Sequence, residues 1–573
     1  MNKISLGVRR LALLLTLIVV IISGCSGETG PGSASQPTQP PRDTVRVLFT
    51  YGSEKDTWVK AVTRTFNSSG QRLNSGKLVV VEPMPFGSVE SGMDIVEGRT
   101  QPALWSPASR LTLPVVNEAS LSARGQPLVD EGECLDLVIS PTVIMMWRPM
   151  AEALGYPEQP IGWADLLNLA ISPNGWADYG KPQWGRLRFG HTHPDYSNSG
   201  LQSIVAIAYA AAGKQRSLTP EDIAKPEVAQ FMRQIENTVA HYGRSTGFFG
   251  NAMAQRGTAY LSAAVVYENV VIEINSDPRR RANLEFPLVA IYPKEGTLLT
   301  DHPACIPDMP YMTPELREAA QLYRKFLLQE AQQRRALEFG FRPSDPSIPL
   351  TAPFTPENGV DPRQPQTTLA VPSAATIRAI RDIWEQQKRP VNLTMVFDVS
   401  GSMRERNRME NARNGAVAFI NQLKDEDRLT LIAFNDKQTI VFDDLQVGPN
   451  RERIKRDILS LLPGGGTALF DSIAFAIERQ QEKLSRDTIN ALVVMTDGED
   501  TNSERFRDAT TLMDRFGASA ENAVDISIFT IGYDLDESGL RPLRIIADRG
   551  RGAFYEGKVE NIRDIYTEIS TFF

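Results

Sequence analysis

Asn392-Leu-Thr-Met-Val-Phe-Asp-Val-Ser-Gly-Ser402 is the stretch that decides the fold of the C-terminal third. Residues 392–397 make a short apolar, β-prone run without the strict alternation of a half-wet strand, which predicts a strand buried on both faces. Similar runs recur at 429–434, 491–495 and 526–531, and helical periodicity fills the intervals 409–423, 452–462 and 469–484. Strands and helices alternating in this way predict a doubly wound, mostly parallel sheet, whose ligands gather at the carboxyl ends of its strands. Asp398, Ser400 and Ser402 begin where the first strand ends, and their alternation lets three side-chain oxygens turn into one hole. Two hydroxyls and a carboxylate form a hard, weakly charged donor set, suited to Mg2+ or Mn2+ and to a ligand from outside.

Two more pieces follow at distant positions: Thr467 in Gly464-Gly-Gly-Thr467, and Asp497 after the strand-like Val493-Val-Met-Thr496. Asp-x-Ser-x-Ser, a loop threonine and a later aspartate, in that order, resemble the von Willebrand factor A domain with its metal-ion-dependent adhesion site. The resemblance covers 391–573 and implies a Rossmann-like α/β fold with Asp398, Ser400, Ser402, Thr467 and Asp497 around Mg2+, or Mn2+ or Ca2+ in its place. It also implies a protein partner that supplies an acidic side chain to the ion. All four histidines lie at or before His302, so neither a Ser/His pair nor a histidine zinc site can form within this domain. The expectation is a binding protein, not an enzyme.

The N-terminal half reads differently. Residues 45–50 predict a strand, followed by a helix over 58–66; strands at 77–81, 135–147 and 288–292 alternate with helices at 203–212, 226–239 and 314–331. Ser197-Asn-Ser-Gly200 at a helix start offers hydroxyls and free backbone N–H groups, as a cap or as a polar-ligand site. With Ser53, Trp105-Ser106, Ser140-Pro-Thr142 and Tyr267-Glu268, this order resembles bacterial extracellular solute-binding proteins, whose two α/β lobes close over a ligand. The resemblance implies a bilobal domain over 45–345, with Ser53, Ser106, Thr142, Ser199 and Glu268 as cleft candidates. A carboxylate at Glu268 disfavours a simple oxyanion: it would face a cationic or hydroxylated ligand, or lie outside the cleft. His191-Thr-His193 is a structural pair or two metal ligands in want of a third, and in a weaker enzymatic reading it would work with Glu268.

Residues 1–24 carry Lys3, Arg9 and Arg10, an apolar run of Leu11 to Ile22, and Ser23-Gly24 before Cys25. This resembles a bacterial lipoprotein signal peptide, too short in its apolar part to span a bilayer well. It implies a lipidated Cys25 anchoring the chain outside the cytoplasm, with 25–44, rich in Gly, Ser, Pro and Gln, as the tether. In that oxidising setting the other two cysteines, Cys134 and Cys305, are expected to pair. Residues 346–390, Pro-rich over 346–372, read as a linker or an extended packing segment. A length of 573 residues with 42% hydrophobic and 23% charged content excludes a disordered chain, and a net charge of -8 argues against a nucleic-acid binder. Two functions remain: an anchored receptor that binds a protein through a metal and a solute through its bilobal domain, or the solute-binding part of a transport system with the A-type domain as docking module.

Overall fold

The strand Val391–Asp398 lies in the middle of a six-stranded sheet whose spatial order is Gln438–Gln446, Arg428–Phe434, Val391–Asp398, Ile489–Thr496, Ser527–Tyr533, Arg551–Gly557. Five strands run parallel, and only the edge strand Gln438–Gln446 is antiparallel. All eight residues of the central strand are buried. Leu393, Met395 and Phe397 enter one core, while Val396 joins Leu492, Val494 and Ile432 in another on the opposite face. That division explains why the run shows no wet face: successive side chains point to opposite sides, and helices cover both. The antiparallel edge strand, largely polar and half-exposed, carries no signal that a search for apolar runs detects.

This architecture belongs to a computed structural model that describes residues 43–485, 488–517, 526–558, 561–570 and 572. The expected signal segment, Cys25 and nearly all of the tether lie outside the described residues. From Val45 onward the chain forms one unit.

The first half contains two α/β lobes. One is built on the sheet Leu78–Phe86, Thr44–Gly52, Leu104–Ser106, whose core holds Phe49, Trp58, Phe66, Tyr323 and Phe341. The other is a seven-stranded sheet around Val138–Trp147, a strand that crosses between the lobes: Val138 belongs to the first core and Val143 to Trp147 to the second. Cys134 and Cys305 form a disulfide of 2.09 Å, packed with Trp105, Leu113 and Val116. In this half three expected elements divide or end early in a way that changes the topology. The run 135–147 breaks into Leu135–Asp136 and Val138–Trp147. The helix expected over 226–239 stops at Glu236, because Val239–Gly243 pairs in parallel with Phe189–Thr192. The helix expected over 314–331 ends at Leu327, and a second one begins at Glu330.

Between the halves the chain packs rather than spans. Ile348, Phe354, Val360 and Leu369 of the Pro-rich stretch are buried, and the Leu369 amide donates to the Thr297 carbonyl at 2.8 Å. The helix Ala374–Gln387, capped by the Ser373 hydroxyl, buries Ile377, Ile380 and Trp384. Trp384 meets His193 and Tyr242 edge-on, with ring centroids 5.0 and 5.7 Å apart. The apolar core of the second lobe continues through Trp384 and Val391 into one face of the C-terminal sheet. Arg244 reaches Glu568 at 3.5 Å, and Arg256 donates to the Gly552 carbonyl across the same seam. Val391, Ile489 and Ser527, the starts of three strands, lie in pockets shared with second-lobe residues. Asp398 therefore stands at the far end of its strand, about 23 Å from the seam at roughly 3.3 Å per residue.

Candidate functional site

At that far end the five residues singled out in the sequence come together. The Ser400 amide donates to Asp398 Oδ1 at 2.7 Å, which folds the chain back over the strand end. The Ser400 and Ser402 hydroxyls lie 3.0 Å apart, and Ser402 Oγ donates to Asp497 Oδ1 at 2.7 Å. Thr467 is brought in by the glycine loop: Gly464 N donates to Val399 O at 2.7 Å, and Gly401 N to Gly465 O at 2.9 Å. From the other side, the amides of Thr501 and Asn502 donate to the Thr467 carbonyl at 2.8 and 3.0 Å. A Cβ added to Gly498 would lie 3.3 Å from Thr467 Oγ1 and 3.7 Å from Ser402 Oγ, so these hydroxyls line one hollow beside Gly498.

The electrostatics suit a cation. Burial pushes the Asp398 carboxyl up to about 6, even though Ser400 and Thr496 donate to it. Burial also raises Asp497, against the pull of Ser402 and Arg408. Burial thus disfavours the negative charge of both carboxylates, of which Asp497 alone is paired with an arginine, and a divalent ion beside them would favour their charged forms. Asp398, Ser400, Thr467 and Asp497 are buried, and half-buried Ser402 stands at the mouth. Among the described residues no group of three or more His, Cys, Asp or Glu could hold a metal. Any ion here depends on the hydroxyls, and hydroxyls with carboxylates are the donors that Mg2+ and Mn2+ accept.

Two further residues belong to this site and do not stand out in the sequence. The Thr496 hydroxyl donates to Asp398 Oδ2 from the neighbouring strand. Arg408 holds Asp497 Oδ2 at 3.0 Å with one guanidinium nitrogen and Asp534 Oδ2 at 2.7 Å with another. A basic residue six positions after Ser402 was the only available sign of it.

The cleft candidates behave otherwise. All five are buried, none more than 7% exposed, and each is bonded within the protein. Ser53 Oγ accepts from the Gly247 amide at 3.2 Å, and Ser106 Oγ donates to the His302 carbonyl at 3.4 Å. Ser199 Oγ lies 2.6 Å from Thr192 Oγ1 and 2.8 Å from Thr246 Oγ1, while Thr142 Oγ1 donates to Gln202. Glu268 is gripped by both Arg342 nitrogens, at 2.7 and 2.8 Å, and by the Tyr292 hydroxyl. The Glu268 carboxylate is thus paired within the protein, with Arg342 and Tyr292. His191 and His193 are also structural: His191 Nε2 lies 3.1 Å from Glu236, and His193 packs edge-on against Trp384.

Comparison with known proteins agrees with both halves. Residues 110–360 match the model of the bacterial extracellular solute-binding proteins, and residues 392–568 match that of the von Willebrand factor type A domain. An uncharacterised protein of Synechocystis is 32% identical over 121 residues, 21% of this chain and 28% of that protein, so the chain spans little more than a quarter of this relative. An uncharacterised protein of Mycobacterium tuberculosis is 21% identical over 499 residues, 82% of this chain and 68% of the relative. Among solved structures, a periplasmic thiamin binding protein is similar over 61% of this chain and 98% of its own, at 11% identity and a TM-score of 0.44. Among the described residues no helix is long and apolar enough to cross a membrane.

Proposed function

We propose that this chain, a domain of the solute-binding type joined through a packed seam to a von Willebrand factor type A domain, is an extracytoplasmic receptor anchored by Cys25 that holds a protein partner through a divalent ion. The observation that carries this reading is the convergence of the Ser400, Ser402 and Thr467 hydroxyls with Asp398 and Asp497, at the end of the central strand opposite the seam at Val391. Ser400, Ser402 and Thr467 would hold Mg2+ or Mn2+, with Asp398 and Asp497 orienting them and balancing its charge. When bound, the ion supplies an open position for a carboxylate oxygen of the partner. The domain from 391 onward contains no histidine, so it lacks the commonest general base, and retention of a partner fits it better than turnover. The bilobal domain in this reading takes a small solute.

Mn2+ titration of the purified chain, followed by electron paramagnetic resonance, tests the site. One ion per chain is expected, lost in Asp398→Ala. Equal binding by wild type and variant would remove the metal reading. Partners cross-linked on intact cells in Mg2+ should disappear in EDTA, and their persistence would separate partner binding from the ion.

A further inference from the structure

The helix Thr246–Arg256 of the second lobe has two faces, and the fold uses only one of them. Phe249, Gly250, Met253 and Ala254 are buried. The start of the helix is pinned to the first lobe, where the Gly247 amide donates to Ser53 Oγ at 3.2 Å, and at its end Arg256 donates to the Gly552 carbonyl of the A-type domain. The other face carries Phe248, Ala252 and Gln255, spaced i, i+4 and i+7, so that their side chains form one row along the helix. Phe248 is 66% exposed, and it is the only exposed aromatic ring among the described residues. Opposite this row stand Ile274, late in the helix Glu268–Ser276, and the half-buried Leu284, with Arg279 and Arg280 of the short helix Pro278–Ala282 at the rim. The two walls enclose a groove of about 540 Å3.

No acidic residue lines this groove. Arg280 is already held, by Glu273 at 3.1 Å and by the Asn251 side-chain oxygen at 3.1 Å, a bond that ties the two walls together. Arg279 is exposed and forms no ion pair among the described residues. With Arg256 at the inner end, three arginines and no acid place a positive potential inside a concavity, on a chain whose net charge is -8. A flat anionic bilayer would meet Phe248 and the rim but leave Ala252 and Leu284 uncovered, and it would repel the negative chain as a whole. A narrow protein segment reaches them. From Phe248 to Arg256 the helix rises about 12 Å, the length of roughly four extended residues or two helical turns.

We propose that this groove is a docking site for a short acidic segment of another protein, with one large apolar side chain held between Phe248 and Leu284 and its carboxylates facing Arg279. The site is separate from the hollow at Asp398 and does not depend on an ion there. Its two ends lie where the second lobe meets the first lobe and where it meets the A-type domain, so a docked segment spans the stretch between both contacts.

The test pans a random-peptide phage library on the whole chain. Enriched sequences should place acidic residues on either side of a Leu, Ile, Phe or Trp. Synthetic peptides of those sequences should bind about tenfold more weakly to Phe248→Ser and to Arg279→Glu, and should weaken as NaCl is raised. Arg64→Glu, at an exposed arginine of the first lobe, should bind them as wild type does. Phe248 and Arg279 are both exposed, so the variants keep the fold, and melting curves that coincide with that of wild type verify it. A library that yields no enriched sequence, or peptides that bind both variants as tightly as wild type, would overturn the proposal. Cosedimentation with phosphatidylglycerol vesicles that both substitutions abolish, with no peptide enriched, would overturn it in favour of a lipid surface.

Discussion

Trp384 fastens the connecting helix to the second lobe, and replacing it with alanine tests whether the two halves behave as one body. The indole is 1% exposed and meets His193 and Tyr242 edge-on, while Lys388 lies over its ring at 5.2 Å. Removing a fully buried tryptophan costs about 3–5 kcal/mol, a figure that includes roughly 0.5–1.5 kcal/mol for each aromatic pair. For a folding unit of roughly 150–250 residues, as the second lobe with its connecting helix would be, about 4 kcal/mol corresponds to a fall of about 8–16 °C in melting temperature. The loss should fall unequally. The second lobe and connecting helix lose their packing, whereas the C-terminal sheet retains its opposite core around Leu492 and Val494. Scanning calorimetry should therefore show overlapping transitions in wild type and a separate early transition in Trp384→Ala, and small-angle scattering below that transition should show an expanded particle. A variant whose endotherm and scattering curve superimpose on those of wild type would refute the packed seam, and residues 346–390 would then be a spacer after all.

Three further outcomes follow from the same structure. Ser402→Ala removes the hydroxyl that links Ser400 to Asp497, and Mg2+ affinity by calorimetry should fall about 10–100-fold; unchanged affinity would place the ion elsewhere. Replacing Cys134 and Cys305 with serine opens a loop of sequence separation 171, which on chain-entropy grounds costs about 5 kcal/mol; urea midpoints that coincide with those of wild type would contradict this. His302 is held down at about 4 by burial and by Lys55, below its ordinary 6.5. Between pH 6.5 and 4 the unfolded chain therefore takes up a proton that the native protein refuses, and His302 withdraws on the order of 3 kcal/mol as the pH falls. Asp301, raised by burial to about 6, acts in the opposite direction, so the measurement is a difference. The stability of wild type relative to His302→Asn should decline from pH 6.5 to 4, and a flat difference would show that His302 titrates normally.

How far these features are legible in the sequence depends on how local their causes are. The central strand and its Asp398-Val-Ser-Gly-Ser402 turn are contiguous, so burial on two faces and three aimed oxygens are both written in a single run. Thr467 and Asp497 are legible because each carries its own local sign, a glycine loop and a strand end. Arg408 is not, because its role lies in bridging Asp497 and Asp534, 89 and 126 positions away. The same limit governs the first domain. Ser53, Ser106 and Ser199 are small polar residues at element ends, as ligand-binding residues would be, but their partners Gly247, His302 and Thr246 can be identified only once the lobes are assembled. Glu54 looks like an ordinary acid at an element start, and His302, the buried partner it shares with Lys55, stands 247 positions from that lysine.

The seam at the foot of the C-terminal sheet also has a mechanical meaning. A partner pulling on the hollow at Asp398 loads the central strand along its length, toward Val391 and the apolar contacts beneath it. A flexible spacer would extend before resisting, and the first domain would register nothing. Here the neighbouring parallel strands share the load in shear and pass it to the second lobe, which closes on Glu54 through Asn269 and Gly247. Traction on that hollow would thus arrive at the second lobe as strain instead of being absorbed in slack chain.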